Sequence, residues 1–587
     1  MFQRAVLLRS VGLASLILLN ACGQPGGPDT AAALEGTVRS ADEGVMEGVV
    51  VSAKKDGSTI AVSVVSNDKG VYSFPADRLS PGHYTLTIRA GGYDLPSASG
   101  TEIVSGKSVK VDLNPTRMAD PSARMSAADW LISVPGTQEQ KSLLLNCSVC
   151  HSLDLPLMSM HSQAEFEPLI TRMLGSYTHQ SQPGDPQPLV KPRPVDPARV
   201  AEIAKYVSSI NLSSSKDGKW SFPLKTLPRI KGAGTRVIIT QYDLPRPMSQ
   251  PHDVVTDPDG IAWYADFGRQ FLGRLDPKTG AVKEYPIPVV HPEQPKGNLG
   301  VEADSEGTIW VAMHHQAAIG MFNPKTEKFK IFALPKNLHT PSTQLSQFST
   351  LNHAVDGKIW TMTGGNTVAR LDLKTERWET FYPFKNTQAR PDELAAFKFM
   401  PGAGESSGPP VAGTGVPSVK SNGASHLVYG LISDSKNNCY ILDFFGRSVF
   451  RIDAKTGNIT EYPTKLPFSM PRRGSMDSQD RLWFAQFNAD RIAMLDTRTG
   501  KMSEWKMPRP FTNPYDVALD KNGYAWTAGY QADRVIRLDP KTGSFTEYQL
   551  PLTTNVRRVF VDNHGPRPVF WVGSNHGASV IKVEPLD

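Results

Sequence analysis

The sequence predicts a multidomain, mainly β protein in which a small Ig-like β-sandwich, an all-α unit and a seven-bladed β-propeller follow one another along 587 residues. Three observations carry this. From Thr235 to the end a pattern of about 40 residues recurs, each copy holding four β-type runs, which is the signature of a propeller. Between Ala33 and Pro115, short β-type runs separated by turn signals follow at roughly ten-residue spacing, as in an antiparallel sandwich. Between these two regions the apolar spacing turns helical around Cys147-Ser148-Val149-Cys150-His151. Composition agrees, since 48 glycines and 47 prolines favour a turn-rich chain. The 63 basic and 57 acidic residues are scattered, without a basic stripe interleaved with aromatics, so no nucleic acid is expected as a partner.

The chain opens on Arg4 and Arg9 followed by the apolar stretch Leu13 to Leu19, too short to span a bilayer and typical of an export signal over residues 1–21. That signal ends Leu19-Asn20-Ala21-Cys22, which resembles the lipobox of bacterial lipoproteins. The resemblance implies lipidation of Cys22 and a membrane anchor through acyl chains. With Gly23 rather than Asp after the cysteine, it implies a periplasmic protein held at the outer membrane. Residues 22–32, rich in Gly, Pro and Ala, read as a flexible linker.

The sandwich, residues 33–115, is carried by runs such as Gly48-Val49-Val50-Val51-Ser52-Ala53, Asn67-Asp68-Lys69-Gly70-Val71-Tyr72-Ser73-Phe74 and Pro81-Gly82-His83-Tyr84-Thr85-Leu86-Thr87-Ile88. Their succession, closed by Gly91-Gly92-Tyr93, resembles the carboxypeptidase regulatory-like domain. That likeness implies a spacer or adhesion module and no chemistry of its own.

Residues 120–212 form the second unit. Its C-x-x-C-H run reads as an attachment site for c-type haem, because two thiols at this spacing can each add to a haem vinyl group while the adjacent imidazole reaches the iron. Cys147 and Cys150 are then the covalent tethers and His151 the proximal ligand. A zinc site would need a second cysteine pair, and the remaining cysteines, Cys22 and Cys439, lie far apart. A thioredoxin-like pair would follow a strand, which is absent upstream of Ser142. A helix over Thr137 to Leu145 runs into the motif, a second spans Gln163 to Leu174, and a third starts at Pro197 with Asp196 as its cap. This order resembles the mono-haem cytochrome c domain. That family usually places a methionine as sixth ligand in the loop before the last helix, but Tyr177 to Val195 holds none. Met158, Met160, His161, Met173 and His179 remain candidates. Met173 is slightly favoured, His161 would give bis-histidine coordination, and a five-coordinate iron stays open.

A connector, residues 213–234, leads to the propeller, residues 235–587. Repeat blocks begin near Asp253, Gly300, Thr350, Tyr429, Arg473, Tyr515 and Arg557, and each carries an aromatic on its second strand, such as Trp263, Trp310, Trp483 and Trp526. The last block lacks a fourth strand, whereas Thr235 to Pro245 precedes the first, so the ring is expected to close by pairing the two ends. The insertion Lys385 to Ser425 breaks the period.

The run Pro251-His252-Asp253-Val254 and the Asp-Pro-Lys-Thr-Gly turns resemble the virginiamycin B lyase family. These enzymes open a cyclic depsipeptide by elimination with Mg and a His/Glu set at the channel mouth. Positions where the family commonly carries glutamate hold Asp266, Met313, Thr363, Asp443, Gln486, Gly529 and Ser574 instead, which counts against that chemistry. His252, Asp266 and His314 are the candidate catalytic residues if the propeller is an enzyme. The expected function is electron transfer through one covalent haem c, with the propeller binding a small ligand or a periplasmic redox partner such as a dehydrogenase or another cytochrome. The alternative is a streptogramin lyase-like elimination (a C–O lyase) with a haem appendage.

Overall fold

The computed structural model describes residues 32–97, 99–145, 147–215, 218–339, 343–363, 367–384, 426–466 and 469–587. The export signal, Cys22 and the insertion 385–425 lie outside the described residues.

In the N-terminal domain, Ala32–Thr37 pairs with Val71–Pro75 and Val109–Lys110, while Ile60–Val65, Val50–Lys55, Gly82–Arg89 and Ser99–Ile103 form the facing sheet. Alternation places Leu34, Val51, Phe74, Leu86 and Ile88 in the shared core. The expected Ig-like sandwich is therefore present.

Six helices follow: α1 (Ala127–Ser133), α2 (Gln138–Ser142), α3 (Cys147–Cys150), α4 (Asp154–Leu157), α5 (Gln163–Ser176) and α6 (Pro197–Ile210). Asp196 caps α6 by accepting from the Ala198 amide at 3.0 Å, as its sequence position implied. The helix expected to run into Cys147 is broken. α2 ends at Ser142, whose hydroxyl donates to the Glu139 carbonyl at 2.6 Å, and Leu143–Leu145 tighten into a 3-10 turn before α3. Trp130, Leu144, Phe166, Ile203 and Tyr206 form the core of this unit. Among the described residues no helix is long and apolar enough to cross a membrane.

The C-terminal region is a propeller of seven antiparallel sheets in chain order. In four of them the aspartate of the first turn accepts from the indole six residues on: Trp263 donates to Asp257 at 2.8 Å, Trp310 to Asp304 at 2.9 Å, Trp483 to Asp477 at 3.0 Å and Trp526 to Asp520 at 2.7 Å. This recurrent bond explains why aspartate and tryptophan repeat together, because a buried indole N–H needs an acceptor. Cys439 is a buried thiol on an inner strand.

Closure occurs as expected, with Val237–Asp243 pairing antiparallel to Ser579–Pro585. The closing strand also pairs on its other side with sandwich strand Ile60–Val65, through Thr240 opposite Val62 and Tyr242 opposite Ile60. One eight-stranded sheet thus runs from the last blade into the sandwich. The edge that ring closure would leave on the last blade is covered, and Arg78 bound to Glu584 at 3.0 Å ties the same junction. Thr240→Pro removes a ladder donor from a strand paired on both sides. An apparent destabilisation of about 1–3 kcal/mol, and faster proteolysis between sandwich and propeller, are the expected readouts.

Candidate functional site

The site is built where inner strands of the propeller begin. Bulges interrupt the ladder between Pro251 and Asp253 in the first blade, Val428 and Gly430 in the fourth, and Pro471 and Gly474 in the fifth. A bulge re-aims side chains that strict alternation would send to opposite faces. The residues at these breaks, His252, Tyr429, Arg472 and Arg473, are those that meet across the channel.

Asp253 is the hub. It is wholly buried and receives Arg473 at 2.9 Å and Arg558 at 3.1 Å, while Arg558 also reaches Glu302 at 3.1 Å. Arg473 further donates to the Ser346 carbonyl at 3.3 Å, so strands from around the ring are joined through one carboxylate. Burial opposes the charge on Asp253, but the two guanidiniums overcome it and hold the carboxyl well below its usual range. His252 Nδ1 lies 2.5 Å from Asp253 and its Nε2 lies 3.3 Å from the Tyr515 hydroxyl, which itself bonds the Tyr429 hydroxyl. Burial outweighs the aspartate and pushes His252 down to about 3, so the ring is neutral at physiological pH.

Beside this chain stands Arg472. Its guanidinium carbon is 3.7 Å from the Tyr515 ring centre, 4.3 Å from Phe487, 4.8 Å from Phe444 and 4.9 Å from Tyr429. Burial raises the Tyr429 phenol, but Arg472 and Arg473 outweigh it and lower its pKa overall.

The helical unit covers this mouth. Tyr530 donates to the Ser148 carbonyl at 3.2 Å, Gln531 to the Ser148 hydroxyl at 2.7 Å and Arg557 to the Val149 carbonyl at 2.5 Å, so the backbone inside the C-x-x-C-H run is held by the propeller. The segment after α5 adds Gln180, which accepts from Gln250 at 2.6 Å and lies 3.3 Å from His315. Cys147 and Cys150 are free thiols, half-buried, and burial pushes them up to about 12 and about 11. A reactive dithiol would show the opposite shift. His151 Nδ1 lies 2.9 Å from the Ser152 carbonyl; donating there, it leaves Nε2 as the nitrogen with a lone pair.

The sequence-derived candidates divide. His252 and His314 come together with Phe267 between them, its ring 5.1 Å from the first and 5.7 Å from the second. Asp266 has a structural part instead: one oxygen accepts the amides of Gly268 at 2.9 Å and Arg269 at 3.2 Å, and the other binds Arg246. These bonds occupy the oxygens that a general base would use. Met173 on α5 is 45% exposed, His161 is exposed against Phe166, and His179 is also exposed, with its carbonyl 3.8 Å from Cys150 Sγ. Tyr429, Tyr515, Phe444, Phe487, Tyr530 and Gln531 are site residues absent from the candidates.

Burial raises the carboxyl of Asp516 to about 6 despite Arg473 and Arg558 nearby. A raised acid binds its proton more tightly in the native than in the unfolded chain, so stability is lost as pH rises from about 4 to 6. Asp516→Asn is expected to flatten that part of a melting-temperature profile taken between pH 4 and pH 7.

Two parts of the chain match known families. Residues 418–585 match the virginiamycin B lyase family and residues 33–116 match the carboxypeptidase regulatory-like domain. The chain therefore combines a carboxypeptidase regulatory-like domain with a virginiamycin B lyase-like propeller, and neither match covers the helical unit. No curated protein matches the chain. Among solved structures it is similar to a streptogramin B lyase, 20% identical over 60% of this chain and 99% of that one with a TM-score of 0.46. A virginiamycin B lyase from Staphylococcus aureus is 17% identical over 59% and 98% of the two chains, also with a TM-score of 0.46.

Proposed function

We propose that this chain is a lipid-anchored periplasmic redox protein in which a covalent haem c, tethered by Cys147 and Cys150 with His151 as proximal ligand, adjoins a small-molecule chamber at the propeller mouth. The observation that carries the reading is the seating of the C-x-x-C-H backbone on Tyr530, Gln531 and Arg557, which puts the motif over the Arg472 and Tyr429 cluster. The residues fit the group. The thiols are free and kept protonated rather than activated, and a proximal imidazole whose Nδ1 donates to a carbonyl offers Nε2 to a metal. Bound there, the haem supplies one-electron chemistry. The chain's own residues fix the motif, exclude water from the mouth and present guanidinium and phenol groups to the ligand. Of the sixth-ligand candidates, Met173, His161 and His179 are all exposed, and His179 is the one whose backbone meets the motif, its carbonyl lying 3.8 Å from Cys150 Sγ. Anchoring rests on Cys22, and a redox partner is expected to exchange electrons with the exposed side of the helical unit.

The second reading, a streptogramin lyase-like elimination, is favoured by the family match over residues 418–585 and has the better support from relatives. Its residues fit a metal poorly. Among the described residues no group of three or more His, Cys, Asp or Glu is arranged to hold one, and the mouth is lined by arginines. The deciding experiment is production of the full chain with a c-type cytochrome maturation system. A Soret band that survives denaturation and responds to dithionite supports the first reading. Its absence, together with Mg-dependent opening of a cyclic depsipeptide by the Cys147→Ala, Cys150→Ala chain, establishes the second.

A further inference from the structure

We infer that the Arg472 box at the channel mouth is a binding site for a flat aromatic monocarboxylate; the inference rests on the chamber reading above and names its ligand class. Four aromatic rings, those of Tyr515, Phe487, Phe444 and Tyr429, stand within 4.9 Å of the Arg472 guanidinium carbon, and Tyr530 follows at 5.6 Å. Among the described residues no carboxylate lies within ion-pair distance of this cation, in contrast to Arg473 and Arg558, which share Asp253. One terminal nitrogen reaches the Tyr429 hydroxyl at 3.3 Å, and Nε is buried without an acceptor. An enclosed guanidinium with an orphaned donor is costly, and a planar anion relieves that cost with two parallel charge-assisted bonds.

The walls select the rest of the ligand. Aromatic faces at this spacing pair with a flat ring by offset or edge contact, whereas an aliphatic or polyhydroxylated body gains less there. Arg557 adds a second cation at the rim without a carboxylate in ion-pair distance among the described residues, being bound to the Asn555 side chain at 2.9 Å and the Val149 carbonyl at 2.5 Å. The phenol of Tyr429 is the internal acceptor that an incoming carboxylate replaces at Arg472. The Tyr515 hydroxyl, 3.3 Å from His252 Nε2, adds a polar group to the wall.

The probes are benzoate, its uncharged analogue benzamide and the non-aromatic acetate, measured by calorimetry on the full haem-loaded chain and on the Cys147→Ala, Cys150→Ala chain. Benzoate is expected to bind and raise the melting temperature, benzamide and acetate to bind at least tenfold more weakly, and Arg472→Gln to weaken benzoate by tenfold or more. Tyr429→Phe, which removes the competing acceptor and leaves the rings intact, is expected to keep or tighten binding, so the idea stays testable if Arg472→Gln folds poorly. No benzoate binding to the folded chain, equal binding of benzamide, or full affinity in a folded Arg472→Gln chain overturns the inference. Because covalent haem is read separately from the Soret band, loss of anion binding in a haem-bearing chain overturns this site and leaves the redox reading standing.

Discussion

Replacing Cys147 and Cys150 together by alanine is expected to take covalent haem from one per chain to none. The measurement is absorbance of the denatured chain, where only a thioether-bound group stays with the polypeptide. The effect is all or none because the remaining cysteines are no substitute: Cys439 is buried on an inner propeller strand and Cys22 is 125 positions before Cys147 in the sequence. His151→Ala leaves both thiols but removes the imidazole whose Nδ1 is held by the Ser152 carbonyl. The expected result is a chain that keeps the tether at reduced yield and loses the low-spin spectrum. Unchanged haem content in the double cysteine variant would refute the redox proposal.

The coarse architecture was legible because it rests on repetition. Strand spacing in the sandwich, the period of the propeller and the closing strand before Pro245 are local patterns that burial enforces along the chain, and the Asp196 cap of α6 is written in two adjacent residues. What the sequence hides is contact between distant segments. Nothing in Ile60–Val65 marks it as the neighbour of Val237–Asp243, since an edge strand and a paired central strand differ little in composition. The break after Ser142 is similarly silent, because the hydroxyl that bonds Glu139 is a common helix-surface residue.

The candidate site was half legible. His252 stood out as a histidine in a repeat, yet Tyr429 and Tyr515 look like ordinary β-formers, and it is a bulge that interrupts the ladder at Tyr429, whose hydroxyl meets that of Tyr515. A signal was nonetheless present. Aligning the inner-strand starts puts His252, Tyr429, Arg472, Tyr515 and Arg557 at one position and Asp253, Gly430, Arg473, Asp516 and Arg558 at the next. From the fifth blade through the seventh and on to the first, the second position reads Arg473, Asp516, Arg558 and Asp253, an alternation of base and acid that anticipates the Asp253, Arg473 and Arg558 network, whereas a search for the glutamates of a lyase directs attention to Asp266, a loop anchor. The position of the C-x-x-C-H run over these residues has no sequence signature, because Tyr530, Gln531 and Arg557 hold it through backbone carbonyls and one serine hydroxyl.

Asp253→Asn is expected to be the most destabilising single change in the propeller. The carboxylate is wholly buried and neutralises Arg473, itself 1% exposed, along with Arg558. An amide of the same shape keeps acceptor geometry at one atom only; it leaves Arg558 with Glu302 and Asp516 as its remaining acids and Arg473 with none within ion-pair distance among the described residues. Breaking one partner of a buried ion pair typically costs about 3–5 kcal/mol, and the site offers no solvent to absorb the charge. The same group sets an acid limit. Its native pKa is depressed, so its contribution is fully present above the unfolded value near 4 and is lost as pH falls through the native one. Unfolding followed by tryptophan fluorescence reports on the propeller, because Trp263, Trp310, Trp483 and Trp526 lie on its inner strands. The expected result is a large loss of stability for Asp253→Asn at pH 7 that shrinks toward pH 3, where the wild-type carboxylate begins to lose its own advantage. A variant as stable as the parent at pH 7 would show that the ring is held by its sheets alone.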